Sequence, residues 1–118
     1  MAFSPFVPLR VFSSFTMLEG AIDPKALADL ARRRGFPAIA ICDRNGLYGA
    51  VAFAGAATDK KKVGIQPIVG TLLAVQRPER EQIDWLALYA QDETGYGNLC
   101  ALVSAAHLDR PWPPRRDV

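Results

Sequence analysis

The chain has 118 residues, half of them apolar, which is enough for one domain or one piece of a larger one with a sizeable core. A formal net charge of +2 and a sequence pI near 8.7 carry no basic excess of the kind that by itself marks a nucleic-acid binder. One histidine and two widely separated cysteines, Cys42 and Cys100, with no CxxC, leave little material for a zinc site and fit free buried thiols in a reducing cytoplasm.

The N-terminal MAFSPFVPLRVF lacks the basic start and long apolar core of a secretory signal. No apolar run approaches the roughly 20 residues of a membrane span. A soluble cytoplasmic protein with no membrane partner is expected. Val7 to Phe12 is the first predicted strand, with Pro8 at its start or on an edge. Ser13 to Gly20 reads as a loop carrying Glu19. Asp23-Pro24 is a strong helix start, an N-cap followed by proline at the first helical position. Leu27, Ala28, Leu30 and Ala31 form its apolar stripe. Arg32, Arg33 and Arg34 suit its last turn and Gly35 its end, although a triple arginine could instead bind phosphate.

Phe36 to Phe53, FPAIAICDRNGLYGAVAF, is the stretch around which the chain is organised. The short apolar run Ala38 to Cys42 predicts a buried strand ending near Asp43. In parallel α/β folds the carboxyl ends of strands carry chemistry. Asp43 could equally cap the next helix or tie the turn. A second helix is predicted over Leu47 to Lys62, with Tyr48, Val51, Ala52 and Gly55 on its packing face. Ile65 to Val69 predicts a third strand, and Leu72 to Val75 continues it or starts another. Pro67 and Gly70 are expected to interrupt the pairing. QRPEREQ, residues 76–82, reads as a charged surface turn, and Asp84 to Ala90 as a further strand. Asp92-Glu93-Thr94 opens a last helix with Tyr96, Leu99, Cys100, Val103 and Ala106 on one side. Its His107 reads as a surface or capping residue away from the other candidate positions. Gly95-x-Gly97 lacks the third glycine of a dinucleotide fingerprint. PWPPRRDV, residues 111–118, reads as a proline-rich tail or the end of a cut piece. The alternation predicts a mostly parallel sheet covered by helices, in a barrel or an open sheet.

FVPLRVFSSFTMLEGAI, PAIAICDRNGLYGAVAF, GIQPIVG and ETGYGNLCALVSAAH, in this order, resemble the PHP region at the N-terminal end of bacterial DNA polymerase III alpha subunits. The resemblance reaches to about Arg110. It implies a distorted β/α barrel of which residues 1–110 would be the N-terminal part. It also implies a metal cluster in active members. Their first His-x-His pair falls here on Arg10 and Phe12, a loop acid on Glu19, and an Asp-His pair on Asp43 and Arg44. A further acid falls on Leu72, and a further histidine on Trp85. Arginine stays protonated, and Phe12, Leu72 and Trp85 offer no donor atom. A hydrolytic site needs converging imidazoles and carboxylates with an open position for water.

Arg10 and Arg44 are therefore expected to neutralise Glu19 and Asp43 where metals sit in active members, unless both point to solvent. On this resemblance the chain is a non-catalytic scaffold piece with no cofactor of its own. Its parent would be a magnesium-dependent DNA-directed DNA polymerase acting on DNA. Its partners would be the rest of the alpha subunit and a proofreading exonuclease subunit. The competing expectations are a metal-dependent phosphoesterase or 3'-5' exonuclease, and an independent small α/β binding domain.

Overall fold

The computed structural model describes residues 5–62 and 64–109. The proline-rich stretch 111–118 and Arg110 lie outside them. In chain order the elements are α1 (Pro24–Arg33), β1 (Ala38–Arg44), α2 (Ala50–Ala57), β2 (Gln66–Gln76), β3 (Ile83–Tyr89) and α3 (Glu93–Leu108).

Local chemistry fixes α1 at both ends. Asp23 accepts a hydrogen bond from the Lys25 N–H, Pro24 opens the helix, and Gly35, at φ 72°, takes the left-handed conformation that ends it. Leu27, Ala28 and Ala31 turn inward and meet Ile39 and Ile41 of β1, with Phe53, Ala57 and Ile65, to form the core. Arg32 does more than suit the end of its own helix. Its guanidinium pairs with Asp29 and donates to the carbonyls of Ala56 and Ala57, the last turn of α2. α2 has no basic residue in its own last turn, so Arg32 supplies the cation for those orphan carbonyls.

The sheet runs β1-β2-β3, with β1 parallel to β2 and β3 antiparallel to β2. The expected mostly parallel sheet is thus corrected to one parallel and one antiparallel pair. The reason is connection length: residues 77–82 between β2 and β3 suit a hairpin, whereas a parallel return needs a crossover of about a dozen residues. The expected first strand, Val7 to Phe12, is extended chain rather than a laddered strand. It still lies along β1, because Pro8 and Val11 carbonyls accept from the N–H groups of Ala40 and Cys42.

β2 is a single strand, and neither Pro67 nor Gly70 interrupts it. Gln66 donates toward β1, so alternation turns the nitrogen of Pro67 to the other side, where pairing with β3 begins only at Gly70. Gly70 is needed for a close approach: a Cβ there would lie 2.6 Å from the Tyr89 ring. α2 is shorter than expected, and its face is reversed. Ala50, Phe53 and Ala57 are buried, while Tyr48, Val51 and Gly55 are exposed. Its sequence, AVAFAGAA, is apolar all round, so periodicity could not choose a face. Lys60 to Lys62 lie beyond the helix, in a turn. On α3, Asp92 caps through the Gly95 N–H, Leu99 is buried, and Cys100, Val103 and Ala106 are partly buried. No helix among the described residues is long and apolar enough to cross a membrane.

Candidate functional site

Strand alternation decides how the candidate residues group. Successive side chains of a strand point to opposite faces. Ile39, Ile41 and Asp43 face α1 and α2, whereas Ala40, Cys42 and Arg44 face the other way. The register carries that second face across the sheet from Arg44 to Leu72 to Ala87, with Trp85 and Tyr89 beside it. Asp43 and Arg44 are neighbours in sequence and are presented to opposite sides of the sheet.

On the helix side Asp43 is 1 % exposed and receives a shell of neutral donors. Its Oδ1 accepts from the Ser13 N–H (2.8 Å) and the Thr16 hydroxyl (2.8 Å). The Ser13 hydroxyl lies 2.9 Å from both carboxylate oxygens, and the Gly49 N–H donates to Oδ2 at 3.0 Å. Gly49 is the N-cap residue of α2, so Asp43 ties that helix start and the 13–16 loop to the end of β1. Only glycine fits at 49, since a Cβ would meet Ile41, Pro24 and Ser13 atoms at 2.7 to 2.9 Å. The Thr71 hydroxyl donates to the Asp43 carbonyl and accepts from the Gly46 N–H. Of the two roles open to Asp43, this is the geometry of a structural tie.

On the opposite face Arg44 sits with its guanidinium carbon 4.2 Å from the centroid of the Trp85 ring and 5.6 Å from that of Phe12. Its Nε is 2.7 Å from Glu19 Oε2, close enough for an ion pair but without the alignment of a hydrogen bond. Phe12, Glu19, Arg44 and Trp85 thus form one cluster, next to buried Leu72 on the same face. Of the four-residue ion-pair cluster expected earlier, the structure brings together Glu19 and Arg44. Asp43 is corrected to the other side of the sheet, with neutral partners. Arg10 is exposed and makes no ion pair among the described residues. Its charge acts instead on Cys42 and Tyr89.

Burial pushes the Tyr89 hydroxyl up to about 12, with Cys42 adding to the effect, and burial also raises the Cys42 thiol. The Tyr89 hydroxyl donates to the Leu9 carbonyl at 2.6 Å, pinning the extended N-terminal segment over β3.

His107 is on the surface, as expected, and its Nε2 lies 2.7 Å from the Asn45 carbonyl oxygen, tying the last helix to the turn after β1. Asn45, at φ 53°, accepts from the Ala74 N–H through Oδ1. Sequence reasoning missed Ser13, Thr16, Thr71 and Asn45. The available signal was the hydroxyl-rich SSFT in the loop before Glu19, together with an Asn-Gly pair directly after the strand.

The residues do not fit a metal cluster. On the Arg44 face, the expected ligand positions hold one carboxylate, and it is already matched by a guanidinium. Among the described residues no three His, Cys, Asp or Glu side chains come together in a way that could hold an ion. Beside the cluster is a depression of about 710 Å³, lined by Ser14, Phe15, Thr16, Met17, Glu19 and Arg44 among others.

The fold is shared with solved structures, among them the following two. One is a protein from Bifidobacterium adolescentis assigned as a metal-dependent phosphoesterase, with TM-score 0.60 and 14 % identity over 85 % of this chain and 34 % of that one. The other is an amidohydrolase from Chromobacterium violaceum, with TM-score 0.59 and 19 % identity over 84 % and 34 %. In sequence the chain is 41 % identical over 120 residues to the error-prone DNA polymerase of Anaeromyxobacter dehalogenans. It is 40 % identical over 110 residues to the DNA polymerase III subunit alpha of Caulobacter vibrioides. These matches cover 95 % and 88 % of this chain, but only 10 % and 9 % of those polymerases. The PHP domain family matches residues 8–118, and this chain belongs to it.

Proposed function

We propose that this chain is a non-catalytic PHP module of a bacterial DNA polymerase chain, of the replicative alpha or error-prone kind. In that setting it is the first part of a distorted β/α barrel and acts as scaffold. The remainder of the polymerase would carry the magnesium-dependent extension of a primer on DNA, in the cytoplasm. A proofreading exonuclease subunit is the partner that this reading adds.

One observation carries the non-catalytic part. Arg44 fills the place where the family resemblance puts an imidazole, stacked on Trp85 and paired with Glu19. A fixed guanidinium there supplies positive charge without any Lewis acidity or an open coordination position for water.

The test is elemental analysis of the purified 118-residue chain together with a phosphodiesterase assay in added zinc, manganese or magnesium. The expected result is no stoichiometric transition metal and no hydrolysis above buffer. Stoichiometric tightly bound metal, or metal-dependent turnover, would overturn the proposal in favour of the phosphoesterase or exonuclease reading.

A further inference from the structure

The small net charge of this chain conceals a separation. Six of its fourteen lysines and arginines stand in two triplets, one of Arg32, Arg33 and Arg34 and one of Lys60, Lys61 and Lys62, and the remaining sequence holds more acids than bases. The parallel connection brings the triplets together. One closes α1 and the other follows α2, and the turns there lead into β1 and β2, whose first residues pair as Ala38 and Gln66. The Gln66 N–H donates to the Pro37 carbonyl, so the two turns run side by side. One carboxylate oxygen fixes their separation: Asp29 Oδ1 lies 2.8 Å from Arg32 and 3.0 Å from Lys62, a cation of each triplet.

The other four cations are left over. Arg33, Arg34, Lys60 and Lys61 are exposed and make no ion pair among the described residues. Lys60 and Lys61 are not needed as caps for α2, whose last carbonyls already accept from Arg32. The nearby acids are occupied, Asp29 by Arg32 and Lys62, and Asp59 by the Lys61 N–H within its turn. Lysine and arginine are almost never fully buried without a partner charge, so further chain packed here would have to bring an acid for each. None of the exposed large apolar side chains falls in residues 29–35 or 58–62, so these turns have nothing to set into a bilayer. A row of phosphates supplies one charge per cation and suits the fork of arginine.

We propose that this end of the sheet binds the phosphate backbone of duplex DNA through Arg33, Arg34, Lys60 and Lys61, without reading its sequence. The choice of DNA among polyanions rests on the polymerase function proposed above. The surface is separate from the Arg44 cluster: the seven residues of β1, at about 3.3 Å each, put the two roughly 20 Å apart at opposite ends of the strand.

The test is fluorescence anisotropy of a labelled mixed-sequence duplex with the 118-residue chain, between about 50 and 200 mM salt. Four phosphate contacts give a slope of about −3.6 in log affinity against log salt, a loss on the order of 100-fold over that range. Arg33→Gln with Arg34→Gln, and Lys60→Gln with Lys61→Gln, should each halve the slope and reduce the loss to on the order of 10-fold. Arg77→Gln with Arg80→Gln removes the same charge from the 77–82 turn and should leave the slope unchanged. A slope near zero for the unmodified chain overturns the proposal. So does an equal effect of all three pairs, which would make net charge the cause. Binding to phosphatidylserine vesicles or to polyglutamate, but not to the duplex, overturns it as well. The slope of the unmodified chain decides even where a variant does not fold, and metal analysis of the same protein tests the non-catalytic reading separately.

Discussion

Replacing Asp43 by asparagine changes one atom type and should unfold much of what this chain builds. Four donor groups converge on the carboxylate: the Ser13 and Gly49 N–H groups and the Ser13 and Thr16 hydroxyls. Asparagine keeps one acceptor oxygen and puts an NH₂ group in place of the other. If the oxygen stays at the Oδ1 position, the amide nitrogen faces the Gly49 N–H, and the start of α2 loses its partner. A buried donor left unsatisfied costs about 1–3 kcal/mol, and each remaining hydrogen bond falls from charged strength (~1.5–3) to neutral strength (~1). With one donor orphaned and three bonds weakened, the sum is about 3–9 kcal/mol, a large share of the ~5–15 kcal/mol total expected of a domain. Urea unfolding followed by far-ultraviolet circular dichroism measures it. Ser13→Ala and Thr16→Ala, each removing one donor, should cost about 1–2 kcal/mol and set the scale. A loss below about 1 kcal/mol for Asp43→Asn would refute the reasoning, because it would mean that the ionised carboxylate does not hold the loop and the helix start.

Arg44→Ala removes the stack on Trp85 and the Glu19 pair, and should lower stability by about 1–2 kcal/mol, whereas Arg10→Ala should stay within about 0.5 kcal/mol; equal effects in thermal melts would contradict the placement of the two arginines. Tyr89 has its folded value raised to about 12, so the native state holds its proton more tightly than the unfolded chain does; stability should be intact below pH 10 and decline as pH rises toward 12. Tyr89→Phe should abolish that alkaline component in denaturant melts taken across pH, while costing about 1 kcal/mol for the lost bond to Leu9. Gly49→Ala drives a methyl against Ile41, Pro24 and Ser13 and should cost about 1–3 kcal/mol, measured by the same urea titration.

The parts of the fold that sequence made legible are those set by short-range chemistry. Asp23-Pro24 and Gly35 mark α1 because capping is decided within a turn. β1 is legible because a strand buried on both faces reads as an unbroken apolar run. The errors arise where local signals are ambiguous. α2 is apolar on every side, and its face is set by which residues α1 and β1 leave room for. Pro67 looks like a break until the neighbour on its nitrogen side is known. The antiparallel turn of β3 was within reach, since 77–82 is too short for a crossover. So was the separation of Asp43 from Arg44, because successive side chains within a strand point to opposite faces of the sheet. The Ser13 and Thr16 donors come from a loop about 30 residues away, and no local pattern announces such a contact.

On the function proposed above, the Arg44 cluster would be a replacement for a dication rather than a damaged remnant. A metal ion in this position would draw together side chains from the N-terminal segment, the 13–20 loop, β1 and β3. Arg44 does the same with different forces. Its flat guanidinium offers faces to Phe12 and Trp85 and an edge to Glu19, so three separate pieces of chain are held by one side chain. The charge count also closes: one cation faces one carboxylate, where a dication would need more. For this reason single reversions should fail. Arg44→His frees the position but leaves Glu19 as the one carboxylate on that face, with Phe12, Leu72 and Trp85 still without donor atoms. Even the triple change Arg10→His, Phe12→His and Arg44→His leaves the Leu72 and Trp85 positions empty of ligands. Each step toward a metal site first removes the stacking and pairing that now hold the segments together, so stability should fall before any affinity for zinc or manganese is gained. A single Arg44→His variant that bound zinc stoichiometrically, with an unchanged melt, would show that the guanidinium was never the element holding this face closed.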